Sequence, residues 1–108
     1  MTVSEMASAL ALTPVVESDI QREVTGGYTG DLLSWVMGRA QPGDVWVTIM
    51  SNANIVAVAT LADTAAVVLA EGVTLEEDVT ALARAKGVNI YSSPLDAFAL
   101  CGKLAALL

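Results

Sequence analysis

The sequence predicts an α/β domain, a three-layer sandwich with a mainly parallel sheet flanked by helices. Three observations predict it. Apolar, β-branched runs alternate with amphipathic stretches, the pattern of strands joined by helical crossovers that leave neighbouring strands parallel. The runs at residues 44–50 and 65–70 are apolar on both faces, as central strands covered by helices are. The 108 residues are 55% hydrophobic and 16% charged, which suits a single domain (1–108) with apolar surface left over for a partner subunit.

The elements follow in order. Residues 1–11 read as a short helix, capped by Thr2 or Ser4, with Val3, Met6, Ala7 and Leu10 at helical spacing. Thr13-Pro14 ends it, Val15-Val16 is a short strand, and Glu17-Ser18-Asp19 turns the chain. Ile20 to Thr25 alternates weakly, as a strand near a sheet edge does. Thr25, Gly26, Gly27, Thr29 and Gly30, with Tyr28 among them, read as a small-residue turn. A helix is expected from about Thr29 or Gly30 to Ala40, with Asp31 in its first turn and Arg39 in its last. Leu32, Leu33, Val36, Met37 and Ala40 form its apolar stripe. Trp35 lies roughly 130° from the middle of that stripe, where it meets a neighbouring loop or a dimer partner.

Gln41-Pro42-Gly43-Asp44 stops this helix, and the central strand follows. Residues 53–62 fit helix and strand alike; helix is preferred because Asp63-Thr64 and another strand come next. Glu71-Gly72 is a turn. Thr74 with Glu77 reads as a capping box. Its helix carries Leu75, Val79, Leu82 and Ala83 inward, Arg84 and Lys86 in the last turn, and Gly87 as a left-handed stop. A strand at 88–91 leads to Ser93 as the cap of the last helix, with Pro94 at its first position. That helix is apolar on two sides. Leu95, Phe98, Ala99, Gly102 and Ala106 form one stripe. Leu100, Cys101, Leu104 and Leu108 form a second, which is assigned with Trp35 to a homodimer interface.

Charge and residue types exclude several functions. Net charge is −7 with only five basic residues, which argues against nucleic acid and against an anionic membrane surface. One cysteine permits no internal disulfide and points to a reducing cytoplasm. No apolar run is long enough to span a bilayer, and the start lacks the basic residues of a signal peptide. There is no histidine, the commonest metal ligand and general base. Without a Ser–His or Cys–His pair or a metal cluster, the expectation is no enzyme, no cofactor and no metal. Cys101 reads as core or interface rather than nucleophile.

Ligands of parallel sheets sit outside the carboxyl ends of strands. The ends expected here are Thr25-Gly26-Gly27, Ser51-Asn52 with Asn54, Glu71-Gly72 and Ser92-Ser93. A small ligand is therefore expected over Gly26, Gly27, Tyr28, Asp31, Ser51, Asn52, Asn54 and Gly72. Glycines admit a close approach, amides supply donors and acceptors, and helix starts offer free N–H groups. Asp31 opposes an anion. The competing reading is turn chemistry alone. Gly26-Gly27-x-x-Gly30 lacks both the dinucleotide spacing and the Walker lysine.

The stretches V-T-G-G-Y-T-G-D-L-L-S-W-V-M, V-W-V-T-I-M-S-N-A-N-I-V-A-V-A and A-A-V-V-L-A-E-G resemble the stand-alone DRTGG-domain proteins of anaerobic bacteria. So do the opening T-V-S-E-M-A-S-A-L and the closing F-A-L-C-G-K-L. That domain is similar to the N-terminal domain of HPr kinase/phosphorylase and to regulatory inserts of phosphotransacetylases and CBS-containing pyrophosphatases. The resemblance implies a non-catalytic module that dimerises and senses a small ligand, in some members beside iron-only hydrogenases. Two departures stand out. The Asp-Arg-Thr-Gly-Gly motif is matched only in part, by Thr25-Gly26-Gly27. The Gln-x-His-x-Asn of stand-alone relatives reads Met50, Asn52 and Asn54, so chemistry needing that histidine does not carry over; Asn52 does not titrate. The expectation is a homo-oligomeric regulatory module linked to hydrogenase or energy metabolism, with a nucleotide or metabolite sensor as the alternative.

Overall fold

The computed structural model describes residues 1–108. Ten elements follow one another: α1 (Val3–Ala9), β1 (Thr13–Val16), β2 (Gly26–Thr29), α2 (Leu33–Arg39), β3 (Asp44–Thr48), α3 (Asn54–Ala62), β4 (Ala66–Leu69), α4 (Glu77–Lys86), β5 (Ile90–Ser92) and α5 (Ala97–Leu107). The strands form one sheet in the order β1-β5-β4-β3-β2. β2 to β5 run parallel, and β1 pairs antiparallel with β5.

Side chains of alternate residues on the central strands feed two cores, because successive strand residues point to opposite faces. Trp46, Val67, Leu69 and Ile90 join α2, α3 and α4 on one face. Val45, Val47, Ala66, Val68 and Tyr91 join α1 and α5 on the other. This is the three-layer α/β sandwich with a mainly parallel sheet. β3 and β4 are buried along their whole length, as their two-sided apolar runs require.

Local chemistry sets most element ends. Thr2 caps α1: its hydroxyl accepts from the Glu5 N–H, and the Glu5 carboxylate accepts from the Thr2 N–H, a complete capping box. Residues 53–62 take the helical alternative as α3. Gly87 ends α4 with φ +69°, a conformation that costs glycine nothing.

Four expectations are corrected. Residues 26–29, read as a turn, are strand β2. Gly26 is paired with Asp44, and a Cβ on it would sit 2.7 Å from the Asp44 carboxylate. Its glycine thus serves close approach between strands rather than a turn. Ile20 to Thr25 forms no strand; it clips the start of α1, accepting from the Val3 and Ser4 N–H groups through Arg22 and Ile20 carbonyls. The two later helices begin further on. Glu76 stays extended at ψ 153°, so α4 starts at Glu77 with no side-chain cap bond from Thr74. The Ser93 N–H still bonds the Leu69 carbonyl beside β5, so capping of α5 falls to Asp96, which accepts from the Ala99 N–H at 2.8 Å.

The fourth correction concerns the last helix. Leu100 and Leu104 are buried in the chain's own core, while Phe98, on the other stripe, is 90% exposed. A helix apolar all round carries no signal of which side faces the sheet.

Candidate functional site

The carboxyl ends of β2, β3, β4 and β5 lie along one margin of the sheet, and the polar residues there are bound into it to different degrees. Asp31 follows β2. Its Oδ1 accepts from the Thr48 hydroxyl at 2.7 Å and from the Ile49 N–H at 3.1 Å, beside the Trp46 indole N–H donated to the Gly30 carbonyl at 2.9 Å. These bonds staple the end of β2 to the end of β3. Asp31 is therefore a strand clamp; α2 begins only at Leu33 and has no acidic residue in its first turn.

Ser51 and Asn52 are exposed in the turn between β3 and α3, and Asn54, also exposed, opens α3. The Asn52 side-chain oxygen accepts from the Asn54 N–H at 2.9 Å, and its backbone carbonyl accepts from the Ile55 N–H at 3.2 Å. The turn is thus closed by Asn52 itself. Beyond β4, Gly72 holds φ +70°, and Glu71, at φ +60°, holds a conformation uncommon for a residue with a Cβ. The N–H groups of both are donated inward, to Leu95 and Ser93 carbonyls at 2.7 and 2.9 Å.

Gly26, Gly27 and Tyr28 do not join this margin. Gly26 sits at the amino end of β2, opposite Asp44. Tyr28 packs against the α2–α4 side. Gly27 faces α5, where a Cβ would lie 3.4 Å from the Leu104 side chain. Between β2 and α5 lies an apolar cavity of about 340 Å³, walled by Gly27 to Thr29, Cys101, Leu104, Ala105 and Leu108. It joins residues that sequence reasoning had divided between a ligand set and an interface set. The signal that could have found it is the pairing of two minimal side chains, Gly27 and Ala105, once β2 is read as a strand.

Trp35 is half exposed, and the Arg39 guanidinium lies 3.7 Å from its ring centroid. This cation–π contact gives the off-stripe tryptophan a partner within its own helix. Leu32 is exposed beside it, one helical turn away. Of the other interface candidates, Leu108 is exposed and Cys101 half-buried.

The resolved pKa perturbations fall away from the carboxyl margin. Thr2 hydrogen bonds hold the Glu5 carboxyl below its ordinary range, and the bond from Arg22 does the same for Asp63. Burial, reinforced by a hydrogen bond to Glu17, pushes the Tyr91 phenol up. No group of three or more His, Cys, Asp or Glu residues is placed to hold a metal, and no helix is long and apolar enough to cross a membrane.

The profile of the DRTGG domain matches residues 28–107, from β2 through α5. No curated protein sequence matches the chain significantly. Among solved structures, the chain is similar to the CBS and DRTGG domains of the regulatory region of Clostridium perfringens pyrophosphatase, complexed with the activator diadenosine tetraphosphate. The TM-score is 0.74 at 12% identity, over 95% of this chain and 45% of that one. At that identity the likeness is one of fold, and the chain spans somewhat less than half of its neighbour. Because the domain profile covers every element from β2 onward, the chain belongs to the DRTGG domain family.

Proposed function

We propose that the chain is a non-catalytic regulatory module that works through contacts, first of all with a second copy of itself. One observation carries this reading: large apolar side chains stand exposed on helix faces. Leu32, the residue that precedes α2, and Trp35 within it are 56% and 52% exposed, and Trp35 stacks with Arg39 of the same helix. Tryptophan and arginine together are the residue types that dominate interface energetics. Membership of a domain family found in a regulatory region of another protein supports the regulatory part. A link to hydrogenase or energy metabolism, implied by the family resemblance alone, belongs to this proposal and would make the eventual partner a metabolic enzyme.

Sedimentation equilibrium at micromolar concentration tests it. The expected result is a dimer that Trp35→Glu weakens by about tenfold or more, equivalent to some 1.4 kcal/mol. Phe98→Glu serves as a control on the opposite face. A parent chain that sediments as a monomer overturns the proposal.

A second reading, a small-ligand sensor at the carboxyl margin, is supported by the exposure of Ser51, Asn52 and Asn54 where α3 begins. The neighbour's activator makes nucleotides the first ligands to screen by thermal shift. Asn52→Leu is then expected to weaken binding by about 1–3 kcal/mol while leaving self-association intact.

A further inference from the structure

The cavity between β2 and α5 lies on the α5 face and shares none of the polar cluster at the carboxyl margin. We infer that it is a second binding site, for a small neutral molecule of up to three rings with a hydrogen-bonding edge. Size, charge and backbone geometry each limit the occupant.

The volume of about 340 Å³ falls at the lower end of the range of small-molecule pockets, roughly 300–1,000 Å³. It exists because Gly27 and Ala105 contribute almost no side chain between β2 and α5. The lining is Gly27, Tyr28, Thr29, Val47, Cys101, Leu104, Ala105 and Leu108, none of them Asp, Glu, Lys or Arg. An anion entering it would leave water with no cation to meet it, inside a chain of net charge −7. Phosphorylated ligands are excluded on these grounds, so the class differs from the nucleotides considered above.

The polar contacts come from the strand edge. β2 is the last strand of the sheet, and the Gly30 N–H bonds the Val47 carbonyl of β3. In a parallel pair, successive residues direct their backbone groups to alternate sides. Tyr28 and Gly30 thus serve the β3 ladder, while the N–H and C=O of Gly27 and Thr29 point outward past the edge. The Thr29 hydroxyl gives its proton to the Val47 carbonyl at 3.1 Å and keeps its acceptor capacity. A flat molecule seated over Gly27, with a donor and an acceptor on one edge, satisfies both the apolar wall and these groups. Cys101, half-buried in the same wall, is a built-in reporter.

The test uses two dyes that differ by one charge. N-phenyl-1-naphthylamine is neutral; 1-anilinonaphthalene-8-sulfonate is the same skeleton with a sulfonate. The neutral dye is expected to bind one per chain, with the sulfonated dye weaker by about tenfold or more. Ala105→Phe, which fills the cavity from an exposed helix position, should weaken the neutral dye by a similar factor without lowering Tm. In the parent chain, saturating neutral dye should slow alkylation of Cys101 by iodoacetamide several-fold, a readout that stands even if the variant fails to fold. Equal binding of the two dyes overturns the inference. So does unaltered binding by a folded Ala105→Phe variant, or an alkylation rate indifferent to the dye. Loss of dye binding as the protein concentration rises would mean that a second copy of the chain covers the cavity, and it too overturns the inference.

Discussion

The two edges of the sheet are built on opposite terms. β1 carries Pro14 and a register shift between Pro14 and Val16 against β5. Proline has no N–H to offer a further strand, and an irregular register twists the edge away; both devices blunt an edge against pairing. β2 has neither. It is Gly26-Gly27-Tyr28-Thr29, uncharged and in unbroken register with β3. Its glycines answer to the interior, where Asp44 stands against Gly26 and Leu104 against Gly27. One edge is closed by design against other chains. The other is dictated by packing and stays open beside a cavity.

That contrast is tested most severely at Gly26. Gly26→Val drives a branched side chain into the Asp44 carboxylate. It should cost about 2–3 kcal/mol, or roughly 10–20 °C in Tm, by calorimetry. A loss below about 0.5 kcal/mol would mean that β2 can shift freely and that packing does not dictate its sequence.

Next comes the staple that ends β2. Asp31→Ala removes the acceptor of the buried Thr48 hydroxyl and of the Ile49 N–H, at an expected cost of about 1–3 kcal/mol in denaturant unfolding. Asp31→Asn retains a carbonyl acceptor and should lose clearly less. Equal losses would show the charge, rather than the hydrogen bonds, to be what holds the edge.

The corresponding polar contact beside β1 is the Tyr91 hydroxyl donated to Glu17 at 2.7 Å. Tyr91→Phe should cost about 1 kcal/mol at neutral pH. Because burial and the Glu17 bond raise the phenol above its ordinary value of 10.0, the folded chain keeps this proton more tightly than the unfolded one. The contribution is therefore whole below pH 10 and is lost as pH climbs above it. The parent should lose stability in that window more steeply than Tyr91→Phe; identical alkaline profiles would contradict the assignment.

The smallest effect is expected at Asp63, which pairs with Arg22 at 2.7 Å in largely exposed surroundings. Its depressed carboxyl contributes stability above the ordinary value of 3.8, lost as pH falls through the lowered one. Solvent screening discounts the pair, so Asp63→Asn should cost no more than about 0.2–1 kcal/mol, and less in high salt. A larger loss would locate in this loop a constraint that belongs to neither edge.

The layers of the fold were legible where one signal had one meaning. The doubly apolar runs of β3 and β4 could only be covered strands, and Gly87 after a basic last turn could only be a helix stop. β2 was not legible, because two consecutive glycines read locally as a turn. What makes them strand residues is Asp44, eighteen positions from Gly26, and Leu104 on the last helix. Ser51, Asn52, Asn54 and Gly72 do lie beyond strand ends, since turns follow strands, whereas Asp31 was read into the first turn of a helix and instead follows β2. That Asp31 would be spent on Thr48 was not visible, for nothing local marks a carboxylate as a clamp. The cavity was hidden for the same reason as the inward side of α5: small and apolar residues do not announce what they face.

The pairing of β1 with β5 joins parts of the chain far apart in sequence; Glu17 and Tyr91 are 74 positions apart. By comparison, Val45 of β3 meets Ala66 of β4 across only 21. Each doubling of a closed loop costs about 0.6 kcal/mol, so the longer closure costs only about 1 kcal/mol more. Its effect is on timing. As synthesis proceeds from the amino end, Val15 and Val16 must wait, unpaired, until residues 90–92 have been made. During that interval they form a short apolar segment in search of a strand. Pro14, beside them, is then a guard on the nascent chain as well as on the finished sheet, denying a neighbouring polypeptide the ladder before the rightful partner exists.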